Sequence, residues 1–174
     1  MQKILVVDDA ELNRELLHDV LAEEYLVDTA EDGAQALEKL DADARNTAAL
    51  LLDLNMPRMD GFAVLEEMGR RGWLPKIPVL IISGEYSPDV ETRCFQLGVS
   101  DFIHKPFESS IVKNRVKNSI TLFAYKRHLE QTVEEQAEAL KKQKQIIQIQ
   151  AEQLKASESF NRLMMEYEAA IMEM

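Results

Sequence analysis

The spacing of apolar residues changes several times along the chain, and each change marks an element. KILVVDD (3–9) is a short run of branched apolar residues ending in two acids. AELNRELLHDVLAEE (10–24) places Leu12, Leu16, Leu17, Val20 and Leu21 at helical spacing. YLVDTA (25–30) reads as a strand and GAQALEKLD (33–41) as a helix. AALLLDLN (48–55) predicts a buried strand. GFAVLEEMGRRG (61–72) predicts a helix closed by Gly72. IPVLIIS (77–83) predicts another buried strand, PDVETRCFQLG (88–98) a helix with a glycine stop, and SDFIHKP (100–106) a last short strand. A helix is expected from about Phe107. Five strands alternating with five helices predict an α/β fold, a doubly wound parallel sheet covered on both faces.

The pattern then changes scale. From Phe107 to Met174 there is no proline and no glycine to stop a helix. Val133, Leu140, Ile147 and Leu154 recur every seven residues, and a second column carries Leu122, Leu129, Gln136, Gln143 and Gln150. This is the period of a coiled coil, with glutamines that weaken the seam and fix its register. A straight helix over 107–156 would span roughly 75 Å, too long to pack on one domain, so it is expected to project and pair as a homodimer. Beyond Ser157 the apolar residues Phe160, Met164, Tyr167, Ile171 and Met174 continue on a shifted stripe. The expected division is 1–120 for the α/β domain and 121–174 for the coiled-coil helix. The pattern breaks off in mid-stripe at Met174, which predicts a longer regulator with an output domain beyond it.

Charge sharpens this division. The net charge of the 174 residues is −11. Residues 1–105 carry 10 basic and 21 acidic side chains, whereas residues 106–174 carry ten of each. An acidic surface disfavours nonspecific binding to nucleic acid, and the tail has neither a basic stripe nor a helix-turn-helix signal, so no DNA binding is expected in this chain. The single cysteine, Cys94, precludes an intrachain disulfide. No run reaches the ~20 apolar residues of a membrane helix. A cytoplasmic protein is expected.

The acids at the strand ends carry the chemistry. Ligands of such sheets bind outside the carboxyl ends of the strands. Asp8 and Asp9 follow the first strand, Asp53 the third, Ser83 the fourth and Lys105 the fifth. Three carboxylates gathered there would repel one another. A divalent cation removes that repulsion, and oxygen ligands without His or Cys point to Mg²⁺. Lys105 and Ser83 add a cation and a hydroxyl suited to phosphoryl oxygens.

VVDD (6–9), DLNMPRMDG (53–61), IISG (81–84) and KP (105–106), in this order and spacing, resemble the receiver domain of two-component response regulators. The resemblance covers about residues 1–120 and implies the flavodoxin-like fold typified by the chemotaxis receiver. It implies that Asp53 accepts a phosphoryl group from the phosphohistidine of a sensor histidine kinase or phosphotransfer protein. It further implies that Asp9 binds Mg²⁺ directly, Asp8 through water, and Asn55 by its backbone carbonyl. Lys105 would pair with the phosphoryl oxygens, Ser83 would shift to bond them, and Phe102 would change rotamer in concert. Asn55 and Glu85 occupy the positions that modulate phosphoryl lifetime and imply fast self-dephosphorylation. The bond before Pro106 is commonly cis in this family. Receivers joined to such helices often drive dimeric outputs, cyclic-di-GMP turnover among them.

Simpler roles compete for some residues. Asp60-Gly61 reads as a turn and helix start, and Asp8 or Asp9 taken singly as a helix cap. His18, His104 and His128 lack metal-ligand spacing and read as structural or surface residues, as does Cys94. A haloacid-dehalogenase-type phosphatase would want an Asp where Asn55 stands. The remaining alternatives are a phosphorylation-independent dimerising scaffold and a stand-alone receiver that binds a separate target.

Overall fold

The structure, a computed structural model, describes residues 1–84 and 87–172. The expectations for Glu85 and Met174 lie outside the described residues. The elements follow in the order β1 (Lys3–Val7), α1 (Glu11–Leu21), β2 (Leu26–Ala30), α2 (Gly33–Asp43), β3 (Thr47–Leu52), α3 (Gly61–Arg70), β4 (Val79–Ser83), α4 (Pro88–Gln96), β5 (Asp101–His104) and α5 (Ser109–Met172), with one 3₁₀ turn at Ala44–Asn46. All strand pairs are parallel, in the order β2-β1-β3-β4-β5. The predicted α/β class and doubly wound sheet are therefore what the chain adopts.

The continuous apolar runs have a two-sided explanation. Successive strand residues point to opposite faces. Leu5, Val7, Leu50, Leu52, Val79 and Ile81 pack on one face with α2, α3 and Cys94 of α4. Ile4, Val6, Ala49, Leu51, Leu80 and Ile82 pack on the other with Leu17 and Leu21 of α1 and Val112 and Val116 of α5. Each large side chain so buried contributes roughly 1.5–3 kcal/mol. A polar residue at any of these alternating positions would face a core.

The strands are shorter than the apolar pattern suggests, and this shortening makes the site. β1 stops at Val7 and β3 at Leu52, so Asp8, Asp9 and Asp53 stand in the loops just past the sheet. The Asp53 N–H still donates to the Val7 carbonyl at 2.8 Å, so its backbone remains tied to β1. The helix stops are as expected. Gly72 and Gly98 take φ values of 67° and 100°, a region open to glycine without Cβ strain.

α5 begins at Ser109, two residues later than expected, and runs unbroken to Met172. The chain divides into two units, Met1–Tyr125 and Lys126–Met174. In the second, Leu129, Val133, Leu140, Ile147 and Leu154 are all exposed. Leu122, in the first, is exposed as well. Among the described residues, no helix is long and apolar enough to cross a membrane.

Candidate functional site

The carboxyl ends of β1, β3, β4 and β5 place the predicted residues together. One carboxylate oxygen from each of Asp8, Asp9 and Asp53 lies within 4.8 Å of the others. Asp8 and Asp53 are buried and Asp9 is exposed. Lys105 reaches across this cluster. Its ammonium donates to Asp8 at 2.7 Å and to Asp53 at 2.9 Å.

Each side chain is held by local structure. The Asp8 carboxylate accepts from the Ala10 N–H at 2.9 Å and from the Asn13 amide at 3.0 and 3.1 Å, one bond to each oxygen. The Arg14 guanidinium donates to the carbonyls of Asp8 and Asp9 at 2.8 and 3.0 Å, which fixes the turn between β1 and α1. Asp8 thus holds the turn into α1, but the N-cap is Ala10 with no side-chain cap bond, so the cap reading does not describe Asp8. Lys105 donates its backbone N–H to the Ser83 carbonyl at 2.9 Å, extending the β4–β5 ladder to the last residue before the turn. The Lys105–Pro106 bond is cis, as expected. Ser83 is fully buried at the end of β4.

The loop after Asp53 is shaped by close packing. Asn55 is exposed, and its N–H makes a long 3.4 Å contact with the Asp53 carboxylate. Arg58 takes a positive φ of 67°. Its guanidinium pairs with Glu31 at 3.0 Å and also with Asp32. Asp60 caps α3 through the Ala63 N–H at 2.8 Å, in line with its structural reading. Gly61 is required by proximity, because a Cβ there would lie 2.5 Å from the Asp53 carbonyl oxygen. Phe102 points inward at 6% exposure, within the cluster that holds Val79, Ile81 and Cys94.

The electrostatics follow from burial. Burial pushes the Asp53 carboxyl above the ordinary carboxylate range, with help from neighbouring Asp8 and against the pull of Lys105. For Lys105, burial acts to lower the ammonium, but the hydrogen bonds it donates to Asp53 and Asp8 outweigh it and hold it above its ordinary value. Among the described residues, the Lys105 ammonium is the cation bonded to the carboxylates of this three-acid cluster. The cluster's donor atoms are all carboxylate oxygens, which fits a hard divalent cation such as Mg²⁺ better than a thiophilic metal.

Sequence reading missed three residues. Asn13 lies in the first turn of α1, and an amide so close to an acid pair was a usable signal. His104 and Glu91 are the other two. The His104 Nε2 lies 2.8 Å from the Glu91 carboxylate, a pairing between β5 and α4 that no local spacing announces.

Fold and acidic edge define a flavodoxin-like α/β domain with an anionic pocket at the carboxyl ends of its strands. Residues 4–117 match the family described as "Response regulator receiver domain". The chain belongs to this family, whose members act in two-component signalling. It is 38% identical over 117 residues to the two-component response regulator ORR3 of Oryza sativa subsp. indica, covering 65% of this chain and 88% of that one. It is 35% identical over 114 residues to a probable cyclic di-GMP phosphodiesterase of Vibrio cholerae, covering 65% of this chain but only 25% of the relative. Among solved structures, the chemotaxis protein CheY4 of Vibrio cholerae superimposes with a TM-score of 0.64 at 28% identity, covering 68% of this chain and 98% of CheY4.

Proposed function

We propose that this receiver accepts a phosphoryl group on Asp53 from a sensor histidine kinase or phosphotransfer protein. The observation that carries this reading is the Lys105 ammonium bridging Asp53 and Asp8 beside Asp9. An Asp53 oxygen attacks phosphorus, the P–O bond forms as the donor's P–N bond breaks, and the imidazole nitrogen leaves with the electron pair and takes up a proton. Asp9, Asp53 and the Asn55 carbonyl are the groups that would hold a divalent cation, with Asp8 beside them. Bound Mg²⁺ would supply charge neutralisation at the phosphoryl oxygens. Lys105 gives up its bond to Asp8 and pairs with those oxygens. Ser83 turns its hydroxyl toward them, and Phe102 changes rotamer with it. Asn55 and Glu85 set how readily water removes the group.

The second half of the reading concerns output. Residues 121–174 pair with a second copy along Leu122, Leu129, Val133, Leu140, Ile147 and Leu154. Their exposure in one chain supports a partnered face. Similarity to the probable cyclic di-GMP phosphodiesterase of Vibrio cholerae supports cyclic-di-GMP turnover as the kind of output such a coil would drive.

Incubation with Mg²⁺ and a small phosphodonor tests the site. Wild-type chain should gain an acid-labile adduct that chelator prevents and that Asp53→Asn lacks. An adduct that persists in Asp53→Asn, or none in wild type, would sink the assignment in favour of a scaffold.

A further inference from the structure

His104 stands where three parts of the domain meet. In the sheet register it pairs with Ser83 of β4. Its ring lies 5.1 Å from the Phe102 ring, tilted by 40°. Its Nε2 reaches the Glu91 carboxylate of α4 at 2.8 Å. A carboxylate can only accept, so Nε2 carries the proton in this bond whichever charge the ring has.

The element at the other end is lightly anchored. α4 has nine residues, and Cys94 is its one buried side chain. Val90 packs beside it, partly buried, and among the described residues two polar tethers supplement these contacts. Arg93 lies over the Phe62 ring at 4.2 Å, with Glu66 at 3.5 Å, and ties α4 to α3. Glu91 ties it to β5. Elements with few buried apolar contacts open or shift at low cost, so one bond is a sizeable share of what holds α4 on this side.

We infer that the His104–Glu91 pair is a latch: a positioning contact that transmits the state of Ser83 and Phe102 to α4. The pair belongs to the arrangement in which Lys105 bridges the free carboxylates of Asp8 and Asp53 and Phe102 is buried. A phosphoryl group on Asp53 draws on Lys105 and Ser83, and a change in Phe102 alters the surface on which the His104 ring rests. The latch therefore favours the free-carboxylate arrangement, and by linkage its loss favours the phosphoryl-bearing one. This rests on the proposed role of Asp53.

The full chain, titrated with beryllofluoride in excess Mg²⁺ and followed by amide NMR shifts, provides the test. Hydrogen exchange in 88–96 is measured alongside. Glu91→Ala should lower the half-saturating beryllofluoride concentration about fivefold, the worth of one net hydrogen bond, and speed exchange in α4. Glu91→Gln keeps an acceptor and should stay within about twofold of wild type, again by the modest net value of such a bond. Equal half-saturation for wild type and Glu91→Ala overturns the latch, even if α4 exchanges faster, because the contact is then structural only. Failure of wild type to bind beryllofluoride overturns the Asp53 assignment itself, and the latch falls with it.

Discussion

The ammonium of Lys105 lies 2.9 Å from the carboxylate of Asp53, a residue 52 positions earlier in the chain. Nothing local joins them. The parallel order β3-β4-β5 brings the ends of β3 and β5 to one edge, where Lys105 meets Asp53.

Removing that cation should expose how much repulsion it offsets. Lys105→Ala leaves Asp8 and Asp53 buried side by side, and loss of one partner from such a group costs about 3 kcal/mol. Urea denaturation at neutral pH checks this. Added Mg²⁺ should recover part of the loss, and a variant as stable as wild type would mean that the carboxylates do not depend on Lys105.

Asp53 predicts a pH dependence of definite sign. Its folded carboxyl sits above the unfolded value, mainly through burial. The native state therefore holds this proton more tightly than the unfolded chain. The stabilisation is complete below the ordinary aspartate range and is lost as pH rises through the folded value. Asp53→Asn removes the effect, so the variant should gain on wild type as pH rises from about 4 to 7, the span above the ordinary aspartate value. Thermal melts across that range in the absence of divalent cations give the comparison. A constant difference would contradict the burial argument.

Gly61 should tolerate no side chain. A Cβ would meet the Asp53 carbonyl at 2.5 Å and the Leu54 Cα at 2.8 Å, both backbone atoms. Gly61→Ala is expected to cost about 3 kcal/mol, the upper range for overpacking. Gly84→Ala serves as the control, since among the described residues its Cβ would meet the Lys105 Cβ at 4.0 Å, an ordinary contact. Chemical denaturation of the two variants should separate them clearly.

The seam proposal can be tested apart from the receiver. Ile147→Asp places a charge in the middle of the Leu140–Leu154 column and should weaken self-association at least tenfold, given the cost of a charge in an apolar seam. Light scattering reports the mass, and the melting of the α/β domain should not change. A monomeric wild-type chain at tens of micromolar would remove the seam itself.

The α/β layering was legible because β1, β3 and β4 are apolar on both faces, a pattern that a sheet open to water on one side would not tolerate. The acidic edge was legible because charge follows β1 and β3 abruptly, at Asp8 and at Asp53. The sequence could not reveal the cross-element pairs. Lys105 bridging two acids depends on strand order, and His104–Glu91 depends on where α4 settles. Asn13 was overlooked for another reason. In the first turn of a helix an asparagine is ordinarily read as capping chemistry, whereas here its amide grips the carboxylate of Asp8 rather than a backbone group.

Arg58 carries a consequence for how freely the loop after Asp53 can change. Its left-handed backbone is costly for any residue with a Cβ, while its guanidinium links the loop to Glu31 and Asp32 at the start of α2. The two effects oppose each other within a single residue. Glycine would relax the backbone and lose the tether; asparagine would ease the backbone and keep a shorter polar group. Substitution at this position therefore trades one effect against the other, and chemically unlike residues can leave fold stability little changed.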